Sequence, residues 1–99
     1  MTTSIYNLQN KHALVTGGTH GIGLAISKQL AAHGCKIAFL SRSSDKLNST
    51  CEFFDKMKVD YLSFQADVLS EKDCKLVMNQ IEEKWGRLDI LINNLHNFH

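Results

Sequence analysis

The sequence predicts an α/β fold in which helices cover both faces of a parallel sheet, giving three layers. Two observations lead to this prediction. Short apolar runs of strand length alternate with longer segments of helical period along the whole chain. A glycine-rich turn also joins the first apolar run to the first helical segment. With 99 residues and a hydrophobic share of 43%, we expect residues 1–99 to form a single packed domain.

That turn separates the first strand from the first helix. Residues 13–15 and their flanks form a short apolar run that ends in a Thr-Gly-Gly turn signal. The helix begins near Gly21 and ends before Gly34, which suits a left-handed cap. Its buried face is predicted to consist of apolar residues at helical spacing: Ile22, Ala25, Ile26 and Leu30.

The second strand and helix follow directly. Residues 36–40 form the strand, and the helix begins near Ser43 or Ser44, whose hydroxyls suit an N-terminal cap. Its buried face is predicted to contain Leu47, Cys51 and Phe54. Residues 61–65 form the third strand.

The third helix is marked by residues 70–73, a capping box with a serine at the cap and a carboxylate three residues later. Its buried face is predicted to contain Cys74, Val77, Ile81 and Trp85. Gly86 ends the helix, residues 88–92 form the fourth strand, and residues 93–99 form an atypical tail. The predicted element order is therefore β-α-β-α-β-α-β, and right-handed crossovers place the strands in the order 3-2-1-4.

Polar and small residues follow the four predicted strands at their carboxyl ends. Because parallel strands end at the same edge of a sheet, we expect these residues to lie on one rim. A ligand crevice opens on that rim where the strand order reverses. The residues are Thr16, Gly17, Ser41, Arg42, Ala66, Asp67 and Asn93.

The glycine-rich turn, residues 16–23, has the composition of a phosphate-binding loop. Gly17 permits a tight turn, Gly21 lets a ligand approach the backbone, and Gly23 lets the helix pack closely on the strand. The helix that follows presents unpaired N–H groups and the positive end of its dipole, which hold a pyrophosphate without a lysine. The alternative is a turn without a ligand. Its position between a strand and a helix favours the phosphate-binding interpretation.

These motifs resemble those of the short-chain dehydrogenase/reductases, whose cofactor motif Thr-Gly-x-x-x-Gly-x-Gly matches residues 16–23. The resemblance extends from Leu8 and Lys11, before the first strand, to Asn93-Asn94 after the fourth. It implies a Rossmann-type sheet truncated to its N-terminal portion. It also implies an oxidoreductase that transfers hydride between a nicotinamide cofactor and an alcohol or carbonyl substrate.

The same resemblance implies a set of cofactor-binding residues: Thr16, Gly17, Thr19, His20, Gly21, Ile22, Gly23, Ser41, Arg42, Ser43, Asp67, Val68 and Asn93. Within this set, the pyrophosphate would be lined by Gly17, Gly21, Ile22 and Gly23. Asp67 and Val68 would touch the adenine, the Asp67 carboxylate accepting from its amino group. Asn93 would hold the sheet near the cofactor ribose. The alternative for Asp67 is a turn or cap residue.

The end of the second strand favours NADP(H) over NAD(H). An acidic residue there binds the ribose 2′-hydroxyl, whereas an arginine accommodates a 2′-phosphate. Here Arg42 lies between Ser41 and Ser43, and a guanidinium flanked by two hydroxyls suits a phosphate. The alternative is that Arg42 is a solvated loop cation. NADP-preferring members often carry a second basic residue where this chain has His20, which is mostly neutral near neutral pH and weakens the preference without reversing it.

No catalytic residues are predicted within this chain. Family members use a Tyr-x-x-x-Lys pair for proton transfer, but neither Tyr6 nor Tyr61 has a lysine four residues later. The family's Ala-Gly after the paired asparagines is replaced by Leu95-His96, which indicates an altered tail. We therefore expect this chain alone to be inactive, as a natural truncation, a frameshift product or a fragment.

Other functions and sites were weighed beside this one. The chain could be a non-enzymatic nucleotide-binding or interaction module that self-associates through the exposed edge of the fourth strand, or an inactive remnant. His96 and His99 stand three residues apart, but no carboxylate or cysteine is near them in sequence, so no metal site is predicted.

Charge and cysteine content narrow the class of protein further. The 11 Lys and Arg residues and 10 Asp and Glu residues are scattered, which gives no support to nucleic-acid binding. The three cysteines are widely spaced and are predicted to be buried thiols in a reducing compartment. The chain has neither a signal-peptide pattern nor an apolar run of membrane length, so we expect a cytoplasmic protein without a membrane partner.

Overall fold

The computed structural model of the chain describes residues 8–17, 19 and 21–93. Within them strands and helices alternate as predicted: β1 (His12–Thr16), α1 (Gly21–Ala32), β2 (Lys36–Ser41), α2 (Ser44–Met57), β3 (Tyr61–Gln65), α3 (Glu71–Trp85) and β4 (Ile90–Asn93). The predictions for His20 and for the tail beyond Asn93, including the His96 and His99 pair, lie outside the described residues.

The four strands form one parallel sheet with the order β3-β2-β1-β4, which confirms the predicted topology. β1 is an inner strand, and Val15 at its centre pairs with Phe39 of β2 on one side and Ile92 of β4 on the other. The strand order reverses between β1 and β4. In sheets of this kind the ligand crevice opens at that reversal, beyond the carboxyl ends of the strands.

Helices cover both faces of the sheet, which gives the predicted three layers. Successive side chains of a strand point to opposite faces, so the core divides in two. The cluster on the side of α1 and α2 contains Ala13, Cys35, Ile37, Phe39, Leu47 and Phe54. The cluster on the side of α3 contains Leu14, Ala38, Leu40, Ala66, Val77 and Ile81. β1 is buried along its whole length because it lies beneath both helical layers.

The predicted helix ends are also confirmed. Ser43 caps α2, and its hydroxyl accepts a hydrogen bond from the Lys46 backbone N–H at 3.2 Å. Gly86 ends α3 with a φ of 81°, a left-handed conformation that glycine adopts without strain. These caps could be predicted from the sequence because each depends only on residues a few positions away along the chain.

The buried face of α1 differs from the prediction. Ile22 is 62% exposed and Ala25 is also exposed, whereas the buried residues of the helix are Gly23 and Ser27. Ser27 Oγ donates to the Gly23 carbonyl oxygen at 2.9 Å, which satisfies a hydroxyl that would otherwise be costly to bury. Leu30 of the predicted face does pack against the core cluster on this side. Apolar residues occur all around α1, so their spacing did not show that Ile22 and Ala25 face away from the sheet.

The start of β4 also differs. The strand begins at Ile90 and not at Leu88. Just before it, the acceptor of the His12 backbone N–H is the Asp89 side chain and not a backbone carbonyl. Asp89 Oδ2 accepts the His12 backbone N–H at 2.9 Å, while the Asp89 N–H donates to the His12 carbonyl oxygen at 2.9 Å. Leu88 packs at the margin of the core cluster on the side of α3.

The prediction of three buried thiols is correct only for Cys35. Cys51 and Cys74 are half-buried, because both lie at the margin of the buried face of their helix, and all three thiols are free. Burial raises the pKa of the Cys35 thiol above its ordinary value, and the nearby negative charge of Asp89 adds to the effect. Among the described helices, none has both the length and the apolar character needed to cross a bilayer.

Candidate functional site

The carboxyl ends of the four strands bring the predicted residues to one rim. Thr16, the last residue of β1, pairs with Leu40 of β2 and with Asn93, the last residue of β4. Ser41 ends β2 and accepts the Ala66 N–H at its backbone carbonyl, at 3.0 Å, just beyond β3. The sheet therefore gathers side chains that are far apart in sequence, as expected for parallel strands.

The glycine-rich turn leaves the rim between β1 and α1. Gly17 and Gly21 have φ values of 67° and 57°, in the left-handed region that favours glycine. A Cβ added to Gly21 would meet no atom within 4 Å, so the space beside this backbone is open. No acidic residue lies in the first turn of α1, so nothing there offsets the positive end of the helix dipole.

Thr19 lies in the same turn and is 5% exposed. Among the described residues, its Oγ1 is the buried side-chain polar atom without a hydrogen-bond partner. Burying an unpaired hydroxyl costs about 1–3 kcal/mol, so native proteins rarely leave one without a reason. Thr19 also lines a cavity of about 330 Å³ with Lys28, Lys46 and Asp45, a lining with more positive than negative charge. An anionic ligand would supply acceptors for such a hydroxyl.

Thr16 and Asn93 connect the ends of β1 and β4. Thr16 Oγ1 donates to Asn93 Oδ1 at 3.0 Å and also lies 3.4 Å from the Ile92 carbonyl oxygen. A side-chain amide that accepts through its oxygen retains two N–H donors. The bond thus orients the Asn93 amide at the point where the strand order reverses.

The end of β2 presents Arg42 to solvent. Ser41 Oγ accepts the Ser43 N–H at 3.1 Å, and Ser43 Oγ is the α2 cap described above. Each hydroxyl accepts a backbone bond and keeps its own proton to donate. No salt bridge within the described part of the chain involves the Arg42 guanidinium. The segment therefore combines an exposed cation with two hydroxyl donors.

Asp67 lies in the loop between β3 and α3, and it has the turn role that was considered as the alternative. Its Oδ1 accepts the Leu69 N–H at 2.9 Å, an Asx turn. A carboxylate has two oxygens, so this bond is compatible with a second acceptor role. Val68 is half-buried and packs against the cluster on the side of α3.

The predicted capping box is only half correct. Ser70 caps α3 and its hydroxyl accepts the Asp73 N–H at 3.1 Å, as expected. The Asp73 carboxylate does not return the bond to Ser70, because the Ser70 N–H already donates to the Asp67 carbonyl oxygen at 2.9 Å. Asp73 Oδ2 accepts the Asp67 N–H instead, at 2.8 Å. Sequence reasoning missed this role of Asp73, whose only signal was its position three residues after the cap.

Within the described residues, the titratable groups whose pKa values are shifted lie at the other end of the sheet. Burial, and then a 2.8 Å hydrogen bond to Asp55, raise the pKa of Tyr61 at the start of β3. The His12 backbone N–H, and then the Arg87 side chain, hold the pKa of Asp89 below its ordinary value before β4. Cys35 precedes β2. These shifts arise from structural contacts and do not mark the rim.

The rim fits an anionic nucleotide on the evidence of its own geometry. It has an open glycine backbone, a first turn of α1 without an acidic residue, an unpartnered buried hydroxyl and an exposed guanidinium. Within the described residues, no group of three histidine, cysteine or acidic side chains comes together as metal ligands would. The arrangement can bind and orient a nucleotide.

Comparison with known proteins identifies the family. The family model described as short chain dehydrogenase matches residues 11–95. The chain is 35% identical over 95 residues to 2-dehydro-3-deoxy-D-gluconate 5-dehydrogenase of Formosa agariphila, covering 95% of this chain and 36% of that protein. It is 40% identical over 89 residues to the short-chain dehydrogenase/reductase homolog YusS of Bacillus subtilis, covering 89% of this chain and 82% of that protein.

Solved structures give the same result. L-sorbose reductase from Gluconobacter frateurii, complexed with NADPH and L-sorbose, superposes with a TM-score of 0.84 at 31% identity, covering 90% of this chain and 34% of that one. The 2-keto-3-deoxy-D-gluconate dehydrogenase of Streptococcus agalactiae superposes with a TM-score of 0.85 at 27% identity, covering 94% of this chain and 35% of that one. This chain thus spans about a third of their length. It belongs to the short chain dehydrogenase family and has the fold of that family's NAD(P)-binding Rossmann region.

Proposed function

We propose that this chain binds NADP(H), in preference to NAD(H), along the rim formed by the carboxyl ends of its strands. It would form the cofactor-binding part of an oxidoreductase that transfers hydride between the nicotinamide and an alcohol or carbonyl substrate. The observation that carries the proposal is the turn between β1 and α1, where an open glycine backbone and the unpartnered Thr19 hydroxyl meet the N-terminus of a 12-residue helix.

The pyrophosphate would lie on the first turn of α1. There Gly17 makes the tight turn, Gly21 lets the ligand approach the backbone, and the buried Gly23 lets the helix pack closely on the strand. The helix N–H groups would supply donors. The exposed Ile22 side chain follows at the second helix position, next to the space that the ligand would fill. Its exposure, which the packing prediction missed, is consistent with a contact to the cofactor.

The two ends of the nucleotide would lie on either side of this turn. The adenine would lie against Asp67 and Val68 beyond β3, and the nicotinamide ribose near Asn93 beyond β4. L-sorbose reductase, of similar fold, is complexed with NADPH. Arg42, Ser41 and Ser43 supply the donors that a 2′-phosphate requires, and this set favours NADP(H).

The chemistry divides between the cofactor and the protein. When bound, the nicotinamide would donate hydride to a carbonyl or accept it from an alcohol, and the residues of this chain would bind and orient the nucleotide. Tyr61 is unsuited to proton transfer at the rim because it lies at the amino end of β3, bonded to Asp55, with its pKa raised. We propose that catalytic residues lie outside this chain, that the chain alone has no turnover, and that it is located in the cytoplasm.

A titration tests the proposal. Binding of NADPH and NADH to the purified chain is followed by ligand fluorescence, for the unsubstituted chain and for Arg42→Ala. We expect the substitution to weaken NADPH binding about tenfold or more, because charge-assisted hydrogen bonds to a phosphate are lost, and to leave NADH binding nearly unchanged. Lys84→Ala, which removes a cation from the last turn of α3, is the matched control. An equal decrease in the affinities of Arg42→Ala for NADPH and for NADH would contradict the NADP(H) preference.

A second candidate is a binding module that self-associates through β4. Within the described residues, β4 pairs only with β1, and its Leu91 is 60% exposed. An unpaired strand edge is a template for another strand, and a second copy of β4 would add one. Light scattering over a range of concentrations tests this candidate: we expect dimers that Leu91→Lys dissociates. A monomer at every concentration would exclude it.

A further inference from the structure

Side chains from the start of α3 form hydrogen bonds with the backbone of the loop between β3 and α3. The Asp73 carboxylate accepts the Asp67 backbone N–H at 2.8 Å. The Cys74 thiol donates to the Val68 carbonyl oxygen at 3.2 Å. Two adjacent helical residues thus fix the two adjacent residues that are proposed to contact the adenine.

These bonds are not the ordinary closure of a helix N-terminus. A carboxylate at the third helical position usually accepts the N–H of the cap residue. Here Ser70 gives its N–H to the Asp67 carbonyl oxygen at 2.9 Å, which frees the Asp73 carboxylate to reach further back along the loop. The helix cap and the loop therefore form one closed network.

The network fixes the Asp67 backbone independently of its side chain. Asp67 Oδ1 accepts the Leu69 N–H at 2.9 Å, so the side chain bonds to a later residue of the loop. The Asp67 backbone N–H bonds instead to Asp73 in the helix. Without the Asp73 acceptor, a half-buried N–H would be left unpaired, and the loop would have to move to hydrate it. The direction of the Asp67 carboxylate would then no longer be fixed.

We propose, resting on the nucleotide-binding function above, that Asp73 and Cys74 are positioning residues for the adenine half of the cofactor. They would not touch the nucleotide. They hold Asp67 and Val68 in the conformation that recognises the base, so adenine binding pays no cost to order this loop. Their contribution concerns the base and not the phosphates, which lie on the turn before α1.

The test compares two ligands that differ by the adenosine. Inorganic pyrophosphate needs only the glycine-rich turn, whereas ADP adds the adenine and its ribose. We expect Asp73→Ala to lower ADP affinity about fivefold to tenfold, because ADP binding must then order the loop, and to leave pyrophosphate affinity unchanged. Asp73→Asn keeps an acceptor oxygen and should retain most of the ADP affinity. Isothermal titration calorimetry measures both ligands.

Matched variants separate positioning from folding. Glu71→Ala removes another carboxylate from the same helical turn, one whose salt bridge runs outward to Lys75, and should change neither affinity. Cys74→Ser keeps a donor and should bind ADP normally, while Cys74→Ala should weaken ADP about twofold to threefold because a thiol is a weak donor.

The outcomes distinguish this inference from the proposed function. The positioning role is overturned if Asp73→Ala weakens the affinity for ADP and the affinity for pyrophosphate equally. It is also overturned if the variant binds ADP as tightly as the unsubstituted chain does. In both cases the proposal of nucleotide binding stands. If the unsubstituted chain binds neither ADP nor NADPH, both proposals fail. A selective loss of ADP, restored by Asp73→Asn, supports the inference.

Discussion

Two threonines on the same side of the molecule are buried for different reasons. Thr50 in α2 is 3% exposed, and its Oγ1 donates to the Lys46 carbonyl oxygen at 2.9 Å. Thr19 in the glycine-rich turn has no such partner. The fold satisfies the first hydroxyl, whereas under the proposed function a bound nucleotide would satisfy the second.

The same substitution at these two sites should therefore have opposite effects. We expect Thr19→Val to raise the free energy of unfolding of the ligand-free chain by about 1 kcal/mol, because an unpaired polar group is removed, and to weaken NADPH binding. Thr50→Val should lower the free energy of unfolding by about 1 kcal/mol, because a hydrogen bond is lost and its acceptor remains. Urea denaturation measures both. Similar destabilisation by the two variants would show that the Thr19 hydroxyl has a partner in the fold.

At the scale of elements, side-chain hydrogen bonds join β1 and β4 at both ends of the strand pair. Thr16 and Asn93 meet at the carboxyl end, and Asp89 bonds to the His12 backbone at the amino end. The Arg87 guanidinium donates to the Asp89 carboxylate at 3.0 Å and to the Asn10 carbonyl oxygen at 3.1 Å. The Trp85 ring stacks on His12, with centroids 4.8 Å apart, and covers this end.

The contacts of Asp89 between β1 and β4 should make the free energy of unfolding depend on pH in the acid range. The pKa of Asp89 lies below its ordinary value, so the folded state favours the ionised carboxylate. Its contribution is present above the ordinary aspartate pKa of about 4 and is lost as the pH falls through the lowered folded value. We expect Asp89→Asn to be less stable than the unsubstituted chain at neutral pH and the difference to narrow on acidification.

Urea denaturation across the pH range measures that difference. Asp60→Asn is the control, because Asp60 forms an exposed salt bridge with Lys36 at 3.7 Å and such pairs contribute little. A difference for Asp89→Asn that stays constant with pH would contradict the assignment.

At the scale of the whole molecule, the fold could be predicted and the details of the site could not. Strand order, the three layers and the caps at Ser43 and Gly86 follow from apolar period, right-handed crossovers and local turn chemistry. The buried face of α1 was predicted only in part, because its apolar residues surround the helix: Leu30 packs against the core, whereas Ile22 and Ala25 are exposed. Asp73 was misassigned because its partner depends on where the preceding loop lies, which no local pattern records.

The whole molecule should also respond to its ligand. A chain of 99 residues buries a modest share of its surface, so we expect its free energy of unfolding to be small and a bound ligand to change it visibly. NADPH at about 100 times its dissociation constant should raise the free energy of unfolding by about 2.7 kcal/mol. Thermal or urea unfolding with and without NADPH checks this value. At the same NADPH concentration, a tenfold weaker affinity in Arg42→Ala should reduce the gain to about 1.4 kcal/mol. No change at saturating NADPH would exclude binding to the folded state.

The position of β4 beside β1 also determines when the rim can be assembled. The bonds from Thr16 to Asn93 and from His12 to Asp89 each join residues 77 positions apart, whereas β1 and β2 are separated by a single helix. Closing a longer segment costs more chain entropy, and contacts between distant residues form more slowly than contacts between neighbours. We therefore expect β4 to join the sheet late in folding. On the ribosome, the half of the rim that contains β2 and β3 would form first. A nascent chain would acquire the crevice only after Asn93 had emerged from the exit tunnel.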